Sequence, residues 1–170
     1  MNFRVVSIIR DPRDVVVSHA FYIAQNSKHF LFPIYKDLSL EDRICLSITG
    51  ITTEECRLLN ISDRVVGILN WSTLGGAYMA RFERLVGPKG GGRLFDQKSE
   101  VQNILQHLRI QYSQKTIEYI CQNLFGGTTT FRKGHIGSWK NHFTAEHKQL
   151  FKEIAGDLLI QLGYENSLDW

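Results

Sequence analysis

The chain has 170 residues, of which 43% are hydrophobic and 22% are charged. These fractions are typical of a globular domain and exclude a disordered tail, a collagen-like repeat and a coiled coil. The 20 lysines and arginines exceed the 17 acidic residues by only three, too few to indicate nucleic-acid binding without clustering. No apolar run approaches the roughly 20 residues of a membrane-spanning helix. We therefore expect one domain over residues 1–170, with neither nucleic acid nor a membrane as its partner.

Cysteine and histidine spacing gives no sign of a disulfide framework or a metal site. Cys45, Cys56 and Cys121 are odd in number and far apart, which is typical of thiols in a reducing compartment. Charged residues within the first 20 positions exclude a signal peptide. A zinc site is poorly supported, because no cysteine or carboxylate pattern accompanies the histidines at 135, 142 and 147. We predict a cytoplasmic protein without a metal.

The order of predicted elements indicates an α/β fold. A β-branched, apolar run at 3–9 predicts a buried parallel strand, and Asp11-Pro12 predicts the start of a helix that ends near Gln25. A loop follows at 26–38. We then predict helices over 39–49 and 52–71 (the second opened by a Thr52/Glu55 capping box), a strand over 77–82, a flexible surface loop over 87–92, and helices over 97–110, over 114–124 and from Thr144 to near Gly163. Strands separated by long helical segments are typical of α/β domains.

The first candidate site is the junction Arg10-Asp11-Pro12-Arg13-Asp14 between the first strand and helix. Ligands of open α/β sheets bind beyond the carboxyl ends of strands, where a helix N-terminus offers free N–H groups to an anion. Arg10 stands at the strand exit, and Ser18 shares a helix face with Asp11 and Asp14. An arginine and a hydroxyl in this arrangement predict a phosphate site. A simpler explanation from spacing alone is an ion pair between Arg10 and Asp14.

The second candidate site is segment 131–141, with the sequence FRKGHIGSWKN. Arg132 and Lys133 are adjacent cations, and Gly134 follows them. Backbone N–H groups near such a glycine can approach an anion closely. The alternative is an ordinary solvated basic loop.

Together, RDPRDVVVSHAFY and the distant FRKGHIGSWKNHFT resemble the sulfotransferase family that uses 3′-phosphoadenosine 5′-phosphosulfate (PAPS). The first string resembles the family's 3′-phosphate-binding strand–loop–helix, and the second resembles its RKGxxGDWKNxFT signature. RFERLVGPKGGG and the ending LGYENSLDW extend the resemblance over essentially the whole chain. The resemblance implies a P-loop-NTPase-like parallel sheet flanked by helices. It also implies transfer of a sulfuryl group from PAPS to a small-molecule acceptor, an alcohol, phenol or amine.

The resemblance implies nucleotide-binding roles for eight residues of this chain. Arg10 and Ser18 match the pair that holds the 3′-phosphate, and the clamp on the same phosphate is matched by Arg132, Lys133 and Gly134. Phe82 and Phe125 match aromatic residues beside the adenine, and Asn123 falls where the family often has a hydroxyl residue near the base. These contacts would hold PAPS and its product, adenosine 3′,5′-bisphosphate (PAP).

Two parts of the family's active site have no counterpart in the sequence. One is a loop resembling PKSGTTW, which binds the 5′-phosphosulfate, and the other is a base histidine upstream of RDPRD. Only nine residues precede Arg10, so we expect the chain to be the C-terminal two-thirds of a domain that is incomplete at its N-terminus. We expect it to be poorly soluble and inactive when expressed alone. No catalytic residue is assigned, because none of the histidines, including His19, stands out as a base.

Two functions are compatible with these motifs. The first is a sulfotransferase, and the alternative is a non-catalytic fragment that keeps only the 3′-phosphoadenosine-binding half-site. A nucleotide kinase fits poorly, because GxxxxGK[ST] is missing. Lys140 and Thr144 match only part of a dimerisation motif of the family, KxxxTVxxxE, so the sequence does not decide whether the protein forms a homodimer.

Overall fold

Two parallel strands form the sheet that carries the first candidate site. In a computed structural model, which describes residues 3–73, 76–127 and 133–170, strand β1 (Val5–Ile9) pairs with strand β4 (Ala77–Arg81). Val5 lies opposite Ala77, and Ile9 lies opposite Arg81. Both predicted strands are confirmed, but β1 is not buried throughout. Val5 is 45% exposed and Ile8 is 54% exposed, and within the described residues β1 pairs with β4 only.

The helices begin where short polar side chains cap them. The side chains of Asp11, Ser39, Ser113 and Thr144 each accept an N–H from the first turn of the helix that follows. These caps confirm the predicted starts of the first and last helices. The helices are α1 (Pro12–Gln25), α2 (Phe32–Tyr35), α3 (Leu40–Thr49), α4 (Ile61–Thr73), α5 (Phe82–Leu85), α6 (Leu94–His107), α7 (Gln114–Asn123) and α8 (Ala145–Gln161). None of these described helices is long and apolar enough to cross a membrane.

The predicted helix over 52–71 is wrong in its first nine residues, because α4 begins only at Ile61. Strands β2 (Ile51–Thr52) and β3 (Arg57–Leu58) form an antiparallel pair there. Gly50 at φ +75° ends α3 and turns the chain, and the Thr53 N–H donates to the Cys56 carbonyl at 2.8 Å to close the hairpin. The capping-box pattern that begins at Thr52 therefore lies in a hairpin, and α4 begins nine residues later.

The described chain divides into two compact units, each built from two stretches of sequence. The sheet unit comprises Met1–Arg10 and Ile68–Ile136, and the helical unit comprises Asp11–Gly67 and Gly137–Trp170. The prediction of a single domain over 1–170 stays a prediction.

In the sheet unit, α5 and α6 pack against β4, and α7 packs against α6. The core of this unit consists of Ala80, Leu85, Val101, Leu105, Ile117 and Cys121. Glu100 of α6 is only 2% exposed, and its carboxylate accepts the Arg81 N–H at 3.1 Å and pairs with Arg84 at 2.9 Å. This buried carboxylate attaches α6 to the end of β4, next to the candidate site.

In the helical unit, α1 packs against α2 and α3, and α3 packs against α8. Its interior contains large side chains with no exposed surface, among them Ile23, Leu31, Tyr35, Ile44, Ile48, Phe151 and Leu159. The apolar face of α1 is therefore buried by the elements that follow it in the same unit.

Candidate functional site

Arg10 and Phe82 occupy the same end of the parallel sheet. Arg10 follows β1 and Phe82 follows β4, and the register that pairs Ile9 with Arg81 brings the two residues side by side. The guanidinium carbon of Arg10 lies 4.2 Å from the centroid of the Phe82 ring. Nη2 of Arg10 also donates a hydrogen bond to the His135 carbonyl at 2.9 Å. Arg10 thus joins the strand end to segment 133–136, which lies more than a hundred residues later in the chain.

A cavity of about 210 Å³ opens at this end of the sheet, within the sheet unit. Its lining is mostly apolar and consists of Ile8, Phe82, Leu85, Val86, Leu124, Phe125 and Gly126. The Phe125 ring also meets the His135 ring edge-on, with 6.4 Å between centroids. The structure therefore places the two aromatic residues predicted to contact adenine in the wall of one cavity, at the carboxyl ends of parallel strands, where α/β folds bind ligands.

The predicted phosphate ligands are distributed over both units. Lys133 is exposed, and Gly134 adopts φ +60°, both within the sheet unit. Ser18 is half-buried on α1, in the helical unit. Arg132 lies outside the described residues. The structure brings Arg10 to the segment that contains Lys133 and Gly134, and the phosphate-binding roles of all these residues stay predictions.

Asn123 does not line the cavity. It is the last residue of α7, its side chain is exposed, and its Nδ2 donates to the Tyr119 carbonyl at 2.8 Å. The amide therefore satisfies a carbonyl of its own helix. The contact lies within one helix, so it requires no ligand.

Arg13 has a structural role that no pattern in the sequence indicated. It is 3% exposed, and its guanidinium lies 4.0 Å from the Trp139 ring and 4.6 Å from the Trp170 ring. It donates to the Asp11 carboxylate at 2.8 Å and to the Glu165 carboxylate. Burial alone would lower the pKa of Arg13, but the hydrogen bonds and charges of these two carboxylates raise it. The second arginine of RDPRD thus holds parts of the helical unit together.

Asp14 connects α1 to the end of the second candidate site, at Gly137 and Trp139. It is 1% exposed, and its two carboxylate oxygens accept the N–H groups of Gly137 and Trp139, each at 2.9 Å. Gly137 adopts φ +70°, a conformation that favours glycine. Asp14 therefore fixes the backbone that follows segment 133–136, within the helical unit.

His19 lies in a largely buried polar cluster of the helical unit. Its Nδ1 is 3.4 Å from the Ser47 hydroxyl and 3.4 Å from Nη1 of Arg64. Tyr35, which is fully buried, places its hydroxyl 3.2 Å from the same Ser47 hydroxyl. Burial and then the charges of Arg64 and His29 lower the pKa of His19 to about 4. The imidazole is therefore neutral at pH 7, and its Nδ1 faces side chains of its own unit.

His147 has a structural role at the start of α8. Its Nδ1 accepts the Thr144 N–H at 3.1 Å, so Nε2 carries the proton and donates to the Glu41 carbonyl at 3.0 Å.

Within residues 3–73, 76–127 and 133–170, no three histidine, cysteine or carboxylate side chains are grouped closely enough to hold a metal ion.

A second cavity, of about 380 Å³, lies between α6 and α7 in the sheet unit. Val86 and Phe125 line both cavities. The other lining residues are Pro88, Lys89, Leu94, Gln97, Lys98, Glu118, Cys121 and Gln122. No pattern in the sequence predicted this cavity, because its walls come from three separate elements.

Comparison with solved structures identifies a similar fold. The chain superimposes on the crystal structure of the mouse sulfotransferase SULT7A1 complexed with PAP, with a TM-score of 0.68 and 17% sequence identity. The match covers 95% of this chain and 63% of the mouse chain, so the chain spans less than two thirds of that neighbour's length. No family model and no curated protein matches the sequence. The chain therefore has a sulfotransferase fold, which confirms the predicted class of a parallel sheet flanked by helices.

Proposed function

We propose that this chain binds PAPS and PAP and belongs to an enzyme that transfers the sulfuryl group of PAPS to a hydroxyl or amine. The observation that carries the proposal is the meeting of Arg10, Phe82 and Phe125 at one end of the sheet, beside segment 133–136. An aromatic-lined cavity suits a planar base, and an arginine beside a glycine-containing basic segment suits a phosphate. The fold shared with a PAP-bound sulfotransferase supports the same proposal.

The residues of the cavity fit the adenosine end of the nucleotide. Phe82 and Phe125 would contact the adenine, and Arg10 and Lys133 would contact the 3′-phosphate together with Ser18 and Arg132. PAPS, when bound, would supply the sulfuryl group: the bond from sulfur to the 5′-phosphate oxygen would break, PAP would leave, and the acceptor would lose a proton as its oxygen or nitrogen bonds to sulfur. These residues hold and orient the nucleotide, and none of them is assigned to the chemical step.

We further propose a small-molecule acceptor (an alcohol, phenol or amine) and a cytoplasmic location. The acceptor proposal follows from the fold and the nucleotide assignment, and the location follows from the separate, unpaired cysteines. Labelled PAPS offered with a panel of alcohols, phenols and amines would identify the acceptor class.

Nucleotide binding is the deciding test, because the assigned contacts distinguish PAP from AMP by its 3′-phosphate. Isothermal titration calorimetry should show that PAP binds more tightly than AMP. A charge-assisted hydrogen bond contributes about 1.5–3 kcal/mol, so Arg10→Gln should weaken PAP binding by about tenfold or more and change AMP binding far less. Arg132→Ala should remove most of the preference for PAP.

A matched control is Arg57→Gln, which removes an exposed arginine of the helical unit. This variant should bind PAP and AMP like the parent chain. Equal affinity of the parent chain for PAP and AMP would contradict the proposed function. So would an Arg10→Gln variant that keeps the full preference.

A further inference from the structure

The glycine-rich segment 87–92 forms a compact turn in which Pro88, Lys89 and Gly91 are exposed, as a surface loop predicts, but Gly87 and Gly90 are buried. Pro88–Gly90 form a short 3₁₀ turn, and the N–H groups of Gly90 and Gly92 both donate to the Gly87 carbonyl, at 3.1 Å and 2.8 Å. Gly90 is buried. Three backbone groups of the segment therefore converge in a compact turn that exposes one side and buries Gly90 against the sheet unit.

The turn is fixed to the two helices that border the cavities. Gln97 of α6 is 3% exposed, and its Nε2 donates to the carbonyls of Leu85 and Cys121 at 2.8 Å and 3.3 Å. A Cβ on Gly87 would lie 2.3 Å from Oε1 of Gln97. The side chain of Gln97 thus packs against Gly87 of the turn and hydrogen-bonds to α5 and α7.

Gly90 contacts segment 133–136 through its backbone. The Ile136 N–H donates to the Gly90 carbonyl at 3.0 Å. A Cβ on Gly90 would lie 2.8 Å from the Gly134 carbonyl oxygen and 2.5 Å from Cβ of Val86. Real Cβ atoms essentially never approach other atoms within 3.0 Å, and both neighbours lie on or next to the backbone. Any side chain at position 90 must therefore displace Val86 or segment 133–136.

We propose that Gly90 is a positioning residue for the nucleotide 3′-phosphate. Because it has no side chain, Gly90 allows the Gly134 carbonyl to pack against it, and its own carbonyl accepts the Ile136 N–H. These contacts set the position of Lys133 and Gly134 relative to the cavity that Phe82 and Phe125 line. The inference rests on the proposed function, because it presumes that Lys133 and Gly134 bind the 3′-phosphate and that the cavity lined by Phe82 and Phe125 binds the adenine. The contact at Gly90 would then set the distance between these two parts of the site. It also gives the glycine-rich segment a role that its composition alone does not indicate.

The test compares Gly90→Ala with the parent chain for binding of PAP and AMP by calorimetry. Gly90 does not adopt a positive φ, so alanine adds only the steric overlap. PAP affinity should fall by about tenfold, the equivalent of one lost phosphate contact, while AMP affinity should stay within about twofold. Gly67→Ala is the matched control, because a Cβ there meets nothing within 4 Å, and it should leave both affinities unchanged.

The outcomes separate this inference from the proposed function. A parent chain without preference for PAP would contradict the proposed function, whereas a folded Gly90→Ala variant that keeps the preference would overturn the inference alone. If Gly90→Ala does not fold, amide hydrogen exchange of the parent chain decides. The Ile136 amide should be protected by its bond to Gly90, and exchange at the rate of a free amide would overturn the inference.

Discussion

Replacing Arg13 tests whether the second arginine of RDPRD stabilises the fold and takes no part in binding the phosphate, which is assigned to Arg10. Arg13→Met keeps much of the apolar stem and removes the charge. The change removes the ion pair between Arg13 and the Asp11 carboxylate, which is 7% exposed, and the contacts with the rings of Trp139 and Trp170. Each cation–π contact contributes about 0.5–2 kcal/mol. Breaking a buried ion pair by removing one partner costs about 3–5 kcal/mol, so we expect a loss of about 3–5 kcal/mol in the free energy of unfolding.

Urea unfolding followed by tryptophan fluorescence measures this loss, because two of the three tryptophans flank the guanidinium. Arg93→Met is the control. It removes an arginine whose side chain is 80% exposed and paired with Asp96, and exposed pairs contribute little to stability. Where Arg13→Met is still folded, it should keep the preference for PAP over AMP. A loss of stability no larger than that of the control, or a lost PAP preference at unchanged stability, would refute the assignment.

Lowering the pH should destabilise the chain through His19, because burial and the charge of Arg64 lower its pKa from 6.5 to about 4. The unfolded chain then binds a proton that the folded chain does not, so the free energy of unfolding should fall by about 3 kcal/mol between pH 6.5 and pH 4. Urea titrations of His19→Gln should show a smaller fall, and an equal fall in both proteins would contradict the burial argument. Phe125→Ala should weaken adenosine binding about tenfold, through the lost aromatic contact with the base, whereas Asn123→Ala should leave it unchanged. Equal effects in calorimetry would mean that the cavity is not the base site.

The sequence alone predicted the features that depend on neighbouring residues. The strand over 3–9, the Asp11 cap with Pro12 after it, and the start of the last helix at Thr144 are set by local backbone preferences and short-range hydrogen bonds. The structure confirms all three. The α/β class follows from the order of such elements, which is why it was also predicted correctly.

Local signals failed where two of them compete. Thr52 and Glu55 have the spacing of a capping box, but Gly50 turns the chain at φ +75°. The Gly50 Cα packs so closely on β3 that a Cβ would lie 2.3 Å from the Leu58 carbonyl oxygen. The hairpin forms because the backbone groups of β2 and β3 hydrogen-bond to each other. The spacing of Thr52 and Glu55 carries no information about such pairing between two segments.

Tertiary structure alone decided that Arg13 and Gly90 are buried. As a sequence, RDPRD presents two arginines of equal chemistry. Arg13 is buried because Trp139 and Trp170 reach it from more than 120 residues away. Likewise, GPKGGG has the composition of a surface loop, and Gly90 is buried because Ile136 and Gly134 pack on it. The composition of a segment indicates its conformational freedom. Its burial depends on which distant segments pack against it, and that is determined by the fold of the whole chain.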